Sequence, residues 1–166
     1  MNPPKDKKRE KTLQKEKGQG CFRCCHCGRE VSFSKDIGTA HRNHCPFCLW
    51  SKHVDEKKPG DRQAQCQSGM KPIGLAFKQA GKDKYGRPRQ GEIMLIHKCT
   101  GCGKISLNRI AADDNEKEIL KVFEESQNLS QRQKNQLQEQ GIQIISSQEK
   151  SKILIQLFGK DSQTLI

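Results

Sequence analysis

Apolar positions fall into three regimes along the chain. Residues 1–20 hold almost none: "MNPPKDKKREKTLQKEKGQG" is Lys, Glu and Gln throughout. Such a segment cannot repay the entropy of ordering, so it predicts a disordered basic arm. From 21 to 110 the apolar residues gather in short runs, "REVSFS", "PIGLAFKQ" and "EIMLIHK", separated by Gly and Pro. This is the pattern of strands, and no helical period competes with it. The second and third runs flank "AGKDKYGRPRQG", whose glycines and proline predict a long hairpin loop.

After residue 110 the period lengthens. Asp113, with Glu116 three residues on, predicts a capped helix over "EILKVFEES", placing Ile119, Val122 and Phe123 on one face. A Gln-rich helix from Ser130 to Gln140 follows, stopped by Gly141. "IQIIS" and "SKILIQLF" then read as two strands around "SQEK". The predicted organisation is an arm over 1–20, a metal-binding domain over 21–112, and C-terminal helices with a β-hairpin over 113–166. That last segment shows no chemistry of its own. It would cover the metal-bearing region, form a small α+β lobe, or dock a partner.

Composition changes the picture in one respect. Hydrophobic residues make up 32% and aromatic residues 5% of the 166-residue chain, too little to make a large core easy to stabilise. Nine cysteines offer another means of holding the central region. No apolar run reaches 18 residues, so no membrane span is expected. The charged N-terminus lacks the apolar centre of a secretory signal. The expected location is therefore a reducing cytoplasm, where paired cysteines bind metal or do redox chemistry rather than form structural disulfides.

Three pairs have Cys-x-x-Cys spacing: Cys24–Cys27, Cys45–Cys48 and Cys99–Cys102. Two intervening residues let the chain turn in a tight knuckle with both thiolates facing one ion. Gly28 and Gly103 follow their knuckles and permit the positive φ of the exit turn, while Pro46 fixes the bend of "CPFC". Tetrahedral zinc needs four such donors. Cys24, Cys27, Cys45 and Cys48 supply one set. A thioredoxin-like redox pair would need a βαβ context, and none is visible.

A second zinc would take Cys66, Cys99 and Cys102, which flank the predicted hairpin. A conventional ribbon would place another cysteine three residues after Cys66, but Gly69 stands there. His53 is the first choice for the missing ligand, with His97 and His44 as alternatives. Cys21 and Cys25 are left as spare thiols, although Cys21 could compete at the first site. The fold expected is a small zinc-stabilised β structure, zinc-ribbon-like with two knuckle sites, carrying a C-terminal α+β appendage.

"RNHCP", within "GTAHRNHCPFCLWSKHVD", is the signature that names the RNHCP domain family. With "FRCCHCG", "PGDR", "CQSGMKPI", "HKCTGCG" and "NRIAADDN", the chain resembles that family over roughly residues 22–115. The resemblance implies a small zinc-ribbon-like domain with Cys24, Cys27, Cys45, Cys48, Cys66, Cys99 and Cys102 as ligands. It also places Arg42, Asn43, His44, His53, Asp55, Asp61, Arg62, Asn108 and Arg109 in the family's polar signatures. Cys21 and Cys25 depart from the pattern.

Charge bears on the partner. The net +12 splits into +4 over residues 1–20, +10 over 21–110 and −2 over 111–166. A basic arm and a basic cysteine region, against an acidic remainder, predict a polyanion partner, with RNA or a ribonucleoprotein such as the ribosome favoured. In this reading Arg42 and Lys52 contact phosphates, Asn43 reads a base edge or backbone, and Trp50 stacks on a base. Lys82, Lys84, Tyr85, Arg87 and Arg89 add a basic hairpin tip. A competing reading makes Arg42-Asn43-His44 and His53-Asp55, with Asp61, the acid–base groups of a metal-dependent hydrolase or nuclease. A third makes the polar signature architectural, with Arg42 paired to Asp55 or Asp61; a protein-interaction module is the remaining alternative.

Overall fold

The computed structural model describes residues 21–32, 42, 44–58 and 61–159. The expected arm over 1–20 and the candidate base reader Asn43 lie outside the described residues. Among the described residues six strands fall in two antiparallel sheets. Strands β1 (Cys21–Arg23) and β2 (Glu30–Ser32) pair with each other. Strands β3 (Ser51–Lys52), β4 (Gly69–Phe77), β5 (Ile93–Cys99) and β6 (Ile105–Arg109) form a four-stranded sheet in sequence order.

The β4–β5 hairpin is the frame of the molecule. Its register runs from Met70 opposite Cys99 to Phe77 opposite Ile93, with a bulge between Pro72 and Gly74. Proline has no N–H to give a ladder, so an irregularity there is the expected accommodation. Alternation beyond the bulge then sorts the side chains, and the bulge itself puts Ile73 with Ala76 and not with Leu75. Leu75, Ile93 and Leu95 join one apolar cluster, while Ile73, Ala76 and Ile96 join another.

Helices supply what the strands lack. Helix α1 (Glu116–Ser126) contributes Ile119, Val122 and Phe123 to the first cluster, and α3 (Lys150–Phe158) contributes Ile153. Helix α2 (Gln131–Glu139) inserts Leu137 into the second. Gly74 lets α1 approach closely, because a Cβ there would stand 3.3 Å from Cβ of Ser126. The residues beyond 112 thus share their buried surface with the sheet. A chain poor in apolar residues achieves this by burying β4 almost continuously, so that few strand positions face solvent.

Two local expectations are corrected. The cap of α1 is Asn115, whose side-chain oxygen accepts the N–H groups of Lys117 and Glu118. The carboxylate of Asp113 is held instead by Arg42. The predicted C-terminal β-hairpin is absent. "SKILIQLF" lies in α3, where Ile153 and Leu157, four residues apart, both meet the larger cluster. "IQIIS" forms no strand, and one bond ties it to the sheet, from Ile145 N–H to the Leu75 carbonyl at 2.9 Å. An apolar run of that length fits a strand or a buried helix equally well, and packing decides. Among the described residues no helix is long and apolar enough to cross a membrane.

Candidate metal centres

The three Cys-x-x-Cys segments adopt one backbone. In each, the N–H four residues after the first cysteine donates to that cysteine's carbonyl: Gly28 to Cys24 at 3.1 Å, Leu49 to Cys45 at 2.8 Å, Gly103 to Cys99 at 3.1 Å. The first cysteine's own N–H donates five residues on, to Arg29, Trp50 and Lys104. The exit residue has positive φ in all three, +75° at Gly28, +64° at Leu49 and +79° at Gly103. A leucine in that conformation is strained by about 1–2 kcal/mol. Burial holds it in place, since Leu49 is wholly inaccessible within the larger core.

Two tetrads result. The sulfurs of Cys24, Cys27, Cys45 and Cys48 lie within 4.8 Å of one another, and so do the donor atoms of His53, Cys66, Cys99 and Cys102. Cys24–Cys48 is 3.5 Å and Cys27–Cys45 is 3.6 Å. In the second tetrad Cys66–Cys99 is 3.6 Å, and Cys102 lies 3.3 Å from Nδ1 of His53. Four ligands at tetrahedral zinc distances have sulfurs about 3.8 Å apart, so these sets are near the required size. Both clusters could hold a metal ion.

Sheet register explains the second tetrad. Ser51 pairs with Met70 and Lys52 with Gly69, so His53, just after β3, meets the segment just before β4. Backbone bonds continue that pairing, from His53 N–H to Ser68 and from Gln67 N–H to His53. Met70 in turn faces Cys99 across β4–β5. The hairpin thereby brings Cys66, His53 and the third knuckle to one end of the sheet. His97 and His44 are engaged elsewhere. His97 donates Nε2–H to the Leu49 carbonyl at 2.6 Å and accepts from Asn108 at Nδ1. Burial, with His44 nearby, lowers its pKa to about 3 and keeps it neutral.

Thiol acidity varies within each tetrad, and in the second the Cys102 thiol is raised while Cys66 is lowered. Burial raises the Cys48 thiol far above the usual cysteine range and also raises Cys45. In Cys24 burial is outweighed by the N–H groups of Cys27 and His26, leaving a net lowering. Cys66 is exposed, and the Ser68 hydroxyl and N–H, then His53, lower its pKa to about 6. Of the spare thiols, Cys21 lies 2.8 Å from a Glu30 carboxylate oxygen. Cys25 donates to the Ser51 carbonyl at 3.3 Å. Neither belongs to a tetrad.

The signature residue Arg42 is buried and cannot reach a phosphate. Its two terminal nitrogens donate to the two Asp113 carboxylate oxygens at 2.9 Å, and Nε donates to the His44 carbonyl. Its partner is Asp113, not Asp55 or Asp61. His44 Nε2 lies 2.7 Å from Asp114, whose carboxylate also accepts the Ala111 N–H. "RNHCP" is thus tied to "ADDN", 70 residues away, by a network buried at Arg42, His44 and Asp114 and open to solvent at Asp113. Charged arginine needs a carboxylate when buried, but the sequence does not say which one.

The remaining candidates divide. Trp50 is half-buried and already stacked on His26, with centroids 4.2 Å apart and planes 1° from parallel, so that ring face is closed to a base. Lys52 is exposed. Asp61 accepts N–H groups from Glu56, Lys57, Lys58 and Gln63, which hold its carboxyl well below the usual range. Asp55 accepts the Arg62 N–H. Both carboxylates organise a loop. Lys82, Lys84, Tyr85, Arg87 and Arg89 are all exposed at the β4–β5 hairpin tip.

The sequence reading missed a relation between the first two knuckles. His26 and Phe47 hold the same position in their knuckles, as do Arg29 and Trp50 one residue beyond the exit turns. His26 stacks on Trp50, and Arg29 lies over Phe47 at 4.7 Å. Each knuckle thus packs its ring on the residue just past the other's exit turn. Only an alignment of the two Cys-x-x-Cys segments on each other would have suggested it.

The sequence model of the RNHCP domain family matches residues 19–120. Comparison with the curated proteins and with the solved structures finds no match.

Proposed function

The chain belongs to the RNHCP domain family, and on that premise we propose that it is a zinc-stabilised, ribbon-like basic adaptor that binds RNA. Zinc suits both donor sets, one of four thiols and one of three thiols with an imidazole, and both are filled by protein groups. With four donors from the chain, neither site leaves the open position that a catalytic zinc needs. The histidine, arginine and acidic residues of the alternative hydrolase reading are engaged in structural bonds, which also favours the adaptor.

The observation that carries the RNA reading is the hairpin tip. Tyr85 is 70% exposed, with the Lys84 ammonium 5.0 Å and the Arg87 guanidinium 5.8 Å from its ring centre. The Asp83 carboxylate accepts the N–H groups of Tyr85 and Arg87, which fixes the turn that presents them. An aromatic ring between two cations on a rigid projection suits an unpaired base and its flanking phosphates. Lys82 and Arg89 extend the charge along both arms of the hairpin.

Affinity for structured RNA, measured by fluorescence anisotropy across a salt series, tests the proposal. Binding is expected to weaken linearly in log–log form as salt rises. Tyr85→Ala should cost about 1–3 kcal/mol at every salt concentration. Lys84→Ala with Arg87→Ala should flatten the salt slope as well. Binding with no salt slope, or binding indifferent to all three substitutions, would overturn the reading.

A further inference from the structure

His53 separates the second tetrad from a concavity of about 210 Å³, walled by the Lys52–Lys58 segment on one side and by Lys104 and Ser106–Asn108 on the other. Its Nδ1 is turned to Cys102, so Nε2 lies on the ring side away from the sulfurs. A histidine that gives Nδ1 to a metal carries its proton on Nε2, which is then a donor. Here that donor is buried, in a residue only 6% exposed, and it has no acceptor. It is the one buried side-chain nitrogen or oxygen in that position among the described residues. Metal-bound histidines ordinarily place an acceptor at the second nitrogen, and an unpaired buried donor costs about 1–3 kcal/mol. None of the described residues supplies that acceptor.

The rim indicates its charge. Lys52, Lys57 and Lys58 are exposed, and no ion pair with a described carboxylate engages them. Lys104 donates to the main-chain carbonyls of Asp55 and Glu56, holding the segment against β6. Two acids share the wall: Glu56 is exposed, and Asp55 is occupied by the Arg62 N–H. Asp61 fixes the same loop through the N–H groups of Glu56, Lys57 and Lys58. Cations therefore outnumber acids around a loop held in shape. The volume is below the roughly 300 Å³ at which small-molecule pockets begin, and it has room for a tetrahedral oxyanion.

We propose that this cleft binds a single phosphate-class oxyanion, accepting the His53 Nε2–H at its inner wall and neutralised by Lys52, Lys57 and Lys58. The proposal does not rest on RNA binding. Its anion is either a free or terminal phosphate or a backbone phosphodiester, since both present the same acceptor oxygens. Occupancy would also hold His53 toward its metal, so the anion and the second zinc should stabilise each other.

The zinc-loaded full chain, titrated with inorganic phosphate and separately with dimethyl phosphate, provides the test. The readouts are the NMR signal of the His53 Nε2–H and the rate at which a chelator removes the second zinc. Expected is a saturable shift of that signal and slower zinc loss. Affinity should fall about tenfold, or 1.4 kcal/mol, in Lys57→Gln/Lys58→Gln, but not in Lys82→Gln/Lys84→Gln, which removes equal charge from the hairpin. Binding by phosphate alone identifies a free or terminal group; binding by both identifies a phosphodiester. A non-saturating shift, an equal loss in both double variants, or an unmoved His53 signal would mean an adventitious ion only and would overturn the proposal. If phosphate binds but RNA does not, only the adaptor reading fails.

Discussion

The two tetrads use the same knuckle in different settings. The first joins two knuckles face to face, with Cys24 and Cys45 buried and two cross-knuckle stacks closing its flanks. The second has one knuckle; Cys66 arrives from a turn and His53 from the end of β3. Where the first has His26 and Phe47, the third knuckle has Gly101, pressed against Ser68. Cys66 and Cys102 are exposed. Each set has two buried donors, Cys24 and Cys45 in one and His53 and Cys99 in the other, and the sets differ in what flanks them: cross-knuckle stacks beside the first, a bare glycine knuckle beside the second. Shielding of the ligands, more than their number, should therefore set how firmly each ion is kept.

The largest expected difference comes from removing one sulfur at each site. Cys45→Ser should lose one zinc and unfold the chain at ambient temperature, because a structural zinc contributes about 10 kcal/mol, comparable to a domain's whole stability. Cys102→Ser should lose one zinc while the circular dichroism of sheet and helices survives. Metal content and thermal melts check both, and equal damage at the two sites would erase the distinction. Next in size is the charged network beside the first tetrad. Arg42→Met removes the partner of half-exposed Asp113 while Asp114 keeps His44 and the Ala111 N–H, and is expected to cost about 1–3 kcal/mol in a denaturant melt of the zinc-loaded protein.

Gly101→Ala should act on the second tetrad alone. A Cβ there would stand 2.3 Å from Oγ of Ser68 and 3.2 Å from the Cys66 sulfur. Chelator removal of one zinc should speed up about tenfold, equivalent to 1.4 kcal/mol in the barrier, and the other should keep its rate. His26→Ala tests the stacks, with an expected loss of about 0.5–1.5 kcal/mol and faster exchange at the first site only. Smallest is a pH effect in the zinc-free, reduced protein. With its pKa near 6, Cys66 is thiolate above that pH and protonated below it. Alkylation mapped by mass spectrometry should therefore reach Cys66 first at pH 7, slow as pH falls through 6, and reach Cys48 late. Ser68→Ala should remove that early reactivity.

The two regions were also unequally legible in the sequence. Cys-x-x-Cys spacing is a local code, so the first donor set and the Cys99–Cys102 pair could be written down before any strand was placed, whereas the fourth ligand of the second set stayed open among three histidines. His53 could be singled out because it lies between the first two knuckles and Cys66, although only the pairing of β3 with β4 shows why it reaches the cluster. Arg42 and Trp50 misled for a common reason. An arginine or tryptophan beside a metal knuckle looks the same whether it faces solvent or a partner far away in the chain. The partners here, Asp113 and His26, carry no spacing signal. The segment 150–158 failed differently: its apolar run fits a strand, and only the groove it fills beside Leu75 and Phe123 makes it a helix.

Leu49 has a consequence for how far the signature is portable. It occupies the exit turn where the other two knuckles use glycine, its side chain is enclosed with Ile119, Phe123 and Ile153, and its carbonyl receives His97. A graft of "CPFCLW" into an unrelated host would therefore carry a backbone that its new surroundings could not hold. The smallest piece that could be transplanted is the pair of knuckles together with the hairpin and its covering helices.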